Sequence, residues 1–237
     1  MVFALVGCGV NLGSSGSSSD QSQLGKFYGQ SLTWTACEGE LQCASLDAPL
    51  NYAEPDGPTV TIKMLKSPAK DPTKRLGSLV VNPGGPGGSG YEFAQYASGT
   101  ISPAVMAQYD VVGFDPRGVA RSTPIKCLDG PETDKFISTL GAPANAEQQR
   151  QVEQVSKGLG TNCQTKSPAL TPQIGTVAAA RDLDILRNLL REEQLNFLGI
   201  SYGTFLGLTY ADLFSDRVGK FVLDGVIDPA LSNSELA

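Results

Sequence analysis

Leu195-Asn196-Phe197-Leu198-Gly199-Ile200-Ser201-Tyr202-Gly203-Thr204-Phe205-Leu206-Gly207 runs from one apolar stretch, through a serine bracketed by glycines, into another. The pattern G-x-S-x-G predicts a strand that turns sharply into a helix, with the serine on a strained turn and its hydroxyl projecting from the end of a sheet. Gly199 and Gly203 have no Cβ and let the strand and helix pass close together. The first turn of the helix leaves N–H groups without intrahelical acceptors, and these favour the negative charge that an attacked carbonyl develops. A chain with 27 glycines can match the pattern by chance. The flanks argue otherwise: Phe197 and Leu198 precede it, and Phe205, Leu206, Leu208, Tyr210, Ala211, Leu213 and Phe214 follow at helical spacing. Ser201 is therefore the candidate nucleophile.

A second constellation, Asn82-Pro83-Gly84-Gly85-Pro86-Gly87-Gly88-Ser89-Gly90, follows a short apolar strand. Such a loop can present bare N–H groups to an oxyanion. The Gly85 and Tyr202 amides are the candidate pair, with Gly84 and Pro86 supporting the turn on one side and Gly199 and Gly203 on the other. Gly85, Gly87 and Gly90 also match G-x-G-x-x-G, with Asp110 and Asp115 near the distance of a ribose contact. That dinucleotide reading is the weaker one. Two prolines remove donors, the loop follows the third predicted strand rather than the first, and no Lys-Ser or Lys-Thr closes it. Asp115-Pro116-Arg117-Gly118, after the next strand, reads as a turn fixed by hydrogen bonds.

The remaining elements fit an α/β fold. Leu46 to Tyr52 and Thr59 to Leu65 have strand character around the turn Pro55-Asp56-Gly57-Pro58. Ser78 to Asn82 and Tyr109 to Phe114 are apolar without alternation, as in strands buried on both faces. A helix is expected around Tyr91 to Ala97, and a polar excursion from Pro131 to Ser167. Val177 to Leu190 is an amphipathic helix with Val177, Leu183, Leu186, Leu189 and Leu190 on the packing stripe and Arg181, Asp182, Arg187 and Arg191 off it. Lys220 to Leu223 is a last strand, ending Asp224-Gly225, and its outer edge is expected to be bare. The alternation of strand and helix implies right-handed crossovers.

Composition narrows the function. A net charge of −6 without a basic cluster argues against nucleic acid, and no apolar run reaches the ~20 residues of a spanning helix. Histidine is absent from all 237 residues, although a serine nucleophile ordinarily needs an imidazole base. No cofactor or metal is implied. Of five cysteines, Cys8 closes Leu5-Val6-Gly7-Cys8, which is similar to a bacterial lipobox, and the serine-rich stretch to Ser22 resembles a tether. Only Met1 to Gly7 precede Cys8, a segment shorter than a signal peptide. Residues 1–26 are thus read as a signal remnant and disordered Gly/Ser tether, and residues 27–237 as the folded part. The other four cysteines suit an oxidising compartment. Among three possible pairings, Cys37 with Cys43 and Cys127 with Cys163 are favoured because both close loops outside predicted strands.

Taken in order, Asn82 to Gly90, Gly113 to Ser122, the elbow and Leu223 to Pro229 resemble the actinobacterial tripeptidyl aminopeptidases and their mycobacterial cell-envelope relatives, from about Thr33 to Pro229. These belong with the proline iminopeptidases to the α/β-hydrolase fold. The resemblance implies the first six or so strands of a mainly parallel sheet, with Ser201 as nucleophile and the Gly85 and Tyr202 amides as oxyanion hole. It also implies a secreted or lipid-anchored serine exopeptidase acting on peptide N-termini. The family's triad acid and histidine follow two further strands, and its cap follows the sixth. Asp224 and Asp228 stand where some other hydrolases place the acid, but a structural role is favoured. The expectation is therefore an N-terminal part, inactive alone, with a peptide substrate, a possible complementing C-terminal chain, and membrane contact only through a lipid anchor on the outer face. The alternatives are a non-catalytic envelope lipoprotein or truncated-gene product, and a carboxylesterase.

Overall fold

A computed structural model describes residues 24–139 and 141–229 of the chain. Cys8, most of the Gly/Ser tether and Ser232 to Ala237 lie outside the described residues. The strands are β1 (Thr35–Glu38), β2 (Leu41–Pro49), β3 (Thr59–Ser67), β4 (Gly77–Asn82), β5 (Tyr109–Phe114), β6 (Leu195–Ile200) and β7 (Val218–Asp224). They form one sheet in the order β1-β2-β3-β5-β4-β6-β7. The pairs β4–β5, β4–β6 and β6–β7 are parallel, and the three pairs that involve β1 to β3 are antiparallel. The sheet is therefore mixed. Its parallel half holds the candidate site, and β1, a short and fully exposed strand, is an addition to the six expected.

The helices are α1 (Gly25–Tyr28), α2 (Gly90–Gln95), α3 (Pro103–Gln108), α4 (Gly130–Thr139), α5 (Ala146–Lys166), α6 (Thr176–Leu189) and α7 (Tyr202–Leu213). Gly25 and Lys26, assigned to the tether from sequence, already belong to α1, which Phe27 anchors in the core. The non-alternating strands are buried on both sides. In β4, Val80 joins the core under α6 and α7 while Val81 joins the one under α2 and α3. In β5, Val112 and Val111 divide the same way. Covering both faces is what lets a parallel strand be continuously apolar.

Helix α6 departs from its expected stripe. Leu183 and Leu186 are buried as expected, but Val177 is half exposed, and Asp182 and Arg187 are buried. Both are in ion pairs: Arg117 forks onto Asp182, and Arg187 pairs with Asp184 one turn away. Asp184 also receives the Tyr28 and Tyr210 hydroxyls and Arg217. A hydrophobicity stripe cannot reveal that Asp182 is buried against Arg117, 65 residues away in sequence.

Helices α4 and α5 are the polar excursion, and neither has a buried residue. They form an arm tied by Cys127–Cys163, by Lys166 and Asn162 on Glu132, and by Lys126 N–H on the Ser167 hydroxyl. The other expected pairing, Cys37–Cys43, also forms, but for a different reason. Its cysteines lie in β1 and β2 rather than in loops, and the bond crosslinks two paired strands.

Candidate active site

Ser201 stands between the end of β6 and the start of α7 with φ 53° and ψ −121°, a conformation that costs a non-glycine residue about 1–3 kcal/mol. The surroundings enforce it. Ser201 N–H donates to Asp224 C=O (2.8 Å) at the end of β7, and Thr204 N–H donates to Ser201 C=O (2.8 Å) to begin the helix. Ser201 is exposed although Gly199, Gly203 and Thr204 around it are buried. A Cβ at Gly199 would lie 2.4 Å from Gly203 O, and one at Gly203 would lie 2.5 Å from Asn82 O. The two glycines of the motif are thus required by packing between β6, α7 and the neighbouring strand β4.

The sheet order β4-β6-β7 fixes what flanks the serine. On the β4 side lies the proline-glycine loop. Gly84 has φ +92°, and a Cβ there would be 2.3 Å from Ile200 O, 3.0 Å from Tyr202 N and 3.1 Å from Ser201 Cβ. Both ends of the loop are pinned. The buried Asn82 side chain accepts Gly84 N–H (3.0 Å), and Ser89, the N-cap of α2, donates to the buried Asp115 (2.5 Å). Asp115 also accepts the Tyr91 and Arg121 N–H groups. Gly85 and Pro86 form the exposed tip, joined by a cis peptide bond. Tyr202 is the first residue of α7, so its N–H has no intrahelical acceptor. Among the described residues neither the Gly85 nor the Tyr202 N–H donates a hydrogen bond.

On the β7 side Gly225, with φ +69°, packs against Ser201. The structure therefore brings Ser201, Tyr202, Gly84, Gly199 and Gly203 together, with Gly85 and Pro86 next to them. The disulfides lie elsewhere. Asp224 contributes its carbonyl to the elbow, and its side chain is exposed at the end of β7. Asp115 spends its carboxylate on the loop, and Asp110 is held by Arg75 and Ala69 N–H near the opposite end of β5. Both carboxylates that the dinucleotide reading offered for a ribose contact therefore already have donors within the fold. Among the described residues no His/Cys/Asp/Glu group has the arrangement of a metal centre.

Beneath this edge Arg117 is the structural keystone, with its side chain fully buried. It donates to both Asp182 oxygens (2.7 and 2.5 Å) and to the Pro49, Leu50 and Gln173 carbonyls. Burial pushes the Asp182 carboxyl up, against the pull of Arg117 and the Tyr52 hydroxyl. The Tyr202 hydroxyl shares a hydrogen bond with Thr176 (2.8 Å) at the start of α6. Burial raises the Tyr202 pKa, and the bond to Thr176 opposes the shift. Sequence reading missed Thr176, Thr204 and the partnership of Asp182 with Arg117.

Residues 77–237 match the α/β hydrolase fold family. A tripeptidyl aminopeptidase of Streptomyces coelicolor is 37% identical over 210 residues, which cover 84% of this chain and 38% of that protein. The serine protease Hip1 of Mycobacterium tuberculosis is 37% identical over 212 residues, covering 85% of this chain and 40% of Hip1. Carboxylesterase B of Mycobacterium tuberculosis is 38% identical over 197 residues, 82% of this chain and 38% of the esterase. The chain spans about two fifths of the length of the curated relatives it matches.

Proposed function

The chain belongs to the α/β-hydrolase fold family, and from that premise we propose that it carries the nucleophile of a serine exopeptidase that releases short peptides, tripeptides above all, from free N-termini. The observation that carries this reading is the backbone of Ser201, held at positive φ and exposed between the loops that follow β4 and β7. Strain of that kind persists only where the surrounding structure imposes it.

In the reaction, Ser201 Oγ attacks the peptide carbonyl carbon while an imidazole takes its proton. The carbonyl oxygen becomes an oxyanion and accepts hydrogen bonds from the Tyr202 and Gly85 N–H groups, each such donor being worth about 10²–10³ in rate. Collapse expels the amine, which takes the proton from the imidazolium, and water then hydrolyses the acyl-enzyme. These 237 residues contain no histidine, so an imidazole base comes from outside them, and the family resemblance puts the triad acid beside it, on a C-terminal continuation or a complementing chain. The residues from α1 onward then form the nucleophile-bearing part of the hydrolase domain, with the Gly/Ser-rich segment before α1 as the tether. The two disulfides support a site outside the cytoplasm, with Cys8 as the lipid-anchored residue. Mass spectrometry of the mature N-terminus tests the anchor.

The carboxylesterase relative favours a second reading in which the same acyl-enzyme chemistry acts on esters. Assaying the purified chain on tripeptide anilides and short-chain acyl esters tests the account. Without the base, the hole and binding supply at most about 10³–10⁴ over water on either substrate. Turnover at ordinary enzyme rates would show that the chain holds its own base. With a histidine-bearing partner added, preference for the tripeptide favours the peptidase and preference for the ester favours the esterase.

A further inference from the structure

The segment after β7 is clipped to the nucleophile by a residue outside the G-x-S-x-G pattern. Thr204 is fully buried, and both capacities of its hydroxyl are used: it donates to Ser201 C=O (2.7 Å) and accepts the N–H of Ile227 (2.9 Å). At the other end of the same segment, Asp224 C=O accepts Ser201 N–H. Asp224 to Ile227 is thus fastened at both ends to the elbow, and Gly225 between them packs on Ser201. A Cβ on Gly225 would meet Ser201 N at 3.7 Å, an ordinary contact, so the glycine answers to its backbone φ of +69° rather than to lack of space. The next residue, Val226, is 62% exposed on the rim of the site.

We propose that Thr204 is a positioning residue for Ser201. Its hydroxyl latches the Gly225–Ile227 segment onto the elbow, so that the wall on the β7 side holds Ser201 Oγ in line with the oxyanion donors on the β4 side. The inference rests on the reading of Ser201 as nucleophile. An ordinary threonine in a first helical turn back-bonds to the carbonyl three residues earlier. The bond to Ile227, 23 residues away, is what such a local role leaves unexplained. Thr204→Val keeps the shape and removes both hydroxyl bonds. Thr204→Ser keeps both.

Two readouts on the purified chain test the latch. The first is hydrogen exchange at the Ile227 and Ser201 amides, which requires no reactivity. Thr204→Val should raise exchange at both amides by ten-fold or more while the amides of β4 and β5 stay protected, and Thr204→Ser should match the parent. Unchanged exchange at Ile227 in Thr204→Val overturns the latch. The second is acylation of Ser201 by p-nitrophenyl acetate with free imidazole supplied as base, read by intact mass. Displacement of a reacting group by an ångström can cost 10²-fold, so Thr204→Val should acylate about 10–100-fold more slowly at an unchanged ester concentration dependence, with Thr204→Ser restoring the rate. Equal rates in Thr204→Val and the parent overturn the positioning role. If the parent is acylated no faster than Ser201→Ala, the nucleophile reading itself fails, and the exchange result still decides the latch.

Discussion

Replacing Arg117 by alanine should be among the most damaging single substitutions in this chain. Its fully buried guanidinium makes five hydrogen bonds, two of them to an Asp182 carboxylate that is itself 1% exposed. Removing one member of a buried ion pair costs about 3–5 kcal/mol, because the other charge is left without compensation. Three backbone carbonyls lose their donor as well, which adds about 1 kcal/mol or more. A loss of about 5 kcal/mol rivals the entire stability of many domains, about 5–15 kcal/mol. With a urea m-value of about 3 kcal/mol/M, the unfolding midpoint should fall by about 1.5 M or the variant should fail to fold. The triple variant Arg117→Met, Asp182→Leu, Tyr52→Phe removes the charges and the Tyr52 hydroxyl that bonds to them. It should recover most of the loss, leaving about 1–2 kcal/mol for the orphaned carbonyls. Urea unfolding followed by circular dichroism measures both. A drop of less than about 1 kcal/mol in Arg117→Ala would refute the keystone role.

Two further outcomes bear on the site and on the arm. Gly84→Ala places a Cβ 2.3 Å from Ile200 O at a φ of +92°, so the loop must retreat from the elbow. Imidazole-assisted acylation of Ser201 should fall by about 100-fold with the far-ultraviolet spectrum unchanged, and an unaltered rate would mean that the loop contributes nothing to the hole. Replacing Cys127 and Cys163 by serine opens a loop with a sequence separation of 36, worth about 4 kcal/mol in the chain-entropy view. Because α4 and α5 bury no residue in the core, the loss should be local. Limited proteolysis should cut the arm while the urea midpoint of the sheet stays put; a shift of the whole transition would show that the arm supports the core.

The parts of the molecule legible in the sequence were those set by local chemistry. The elbow was readable because its strained turn and tight strand–helix contact admit only glycine at 199 and 203. Strands β4 and β5 were readable because burial on both faces leaves an unbroken apolar run. What escaped depends on partners remote in sequence. Asp182 reads as a solvent-facing charge on α6 because its compensation comes from Arg117, 65 residues away, and Arg187 because its neighbour Asp184 is itself buried where Tyr28, Tyr210 and Arg217 converge on it. Strand β1 escaped because it is short, exposed and held by pairing and a disulfide rather than by an apolar pattern. The cysteine pairing was foreseen on the assumption that both bonds close loops, whereas Cys37 and Cys43 crosslink adjacent strands.

In the function proposed above, Ser201 is a preorganised nucleophile whose proton acceptor lies outside these 237 residues. The most direct test of that role is fluorophosphonate labelling of the purified chain, with the adduct mapped by peptide mass spectrometry, in buffer alone, with added imidazole, and with a histidine-bearing C-terminal partner. A trace of adduct is expected in buffer, with a large increase at Ser201, and at no other serine, when a base is supplied. Rapid labelling without any base, or none at Ser201 with one, would contradict that role.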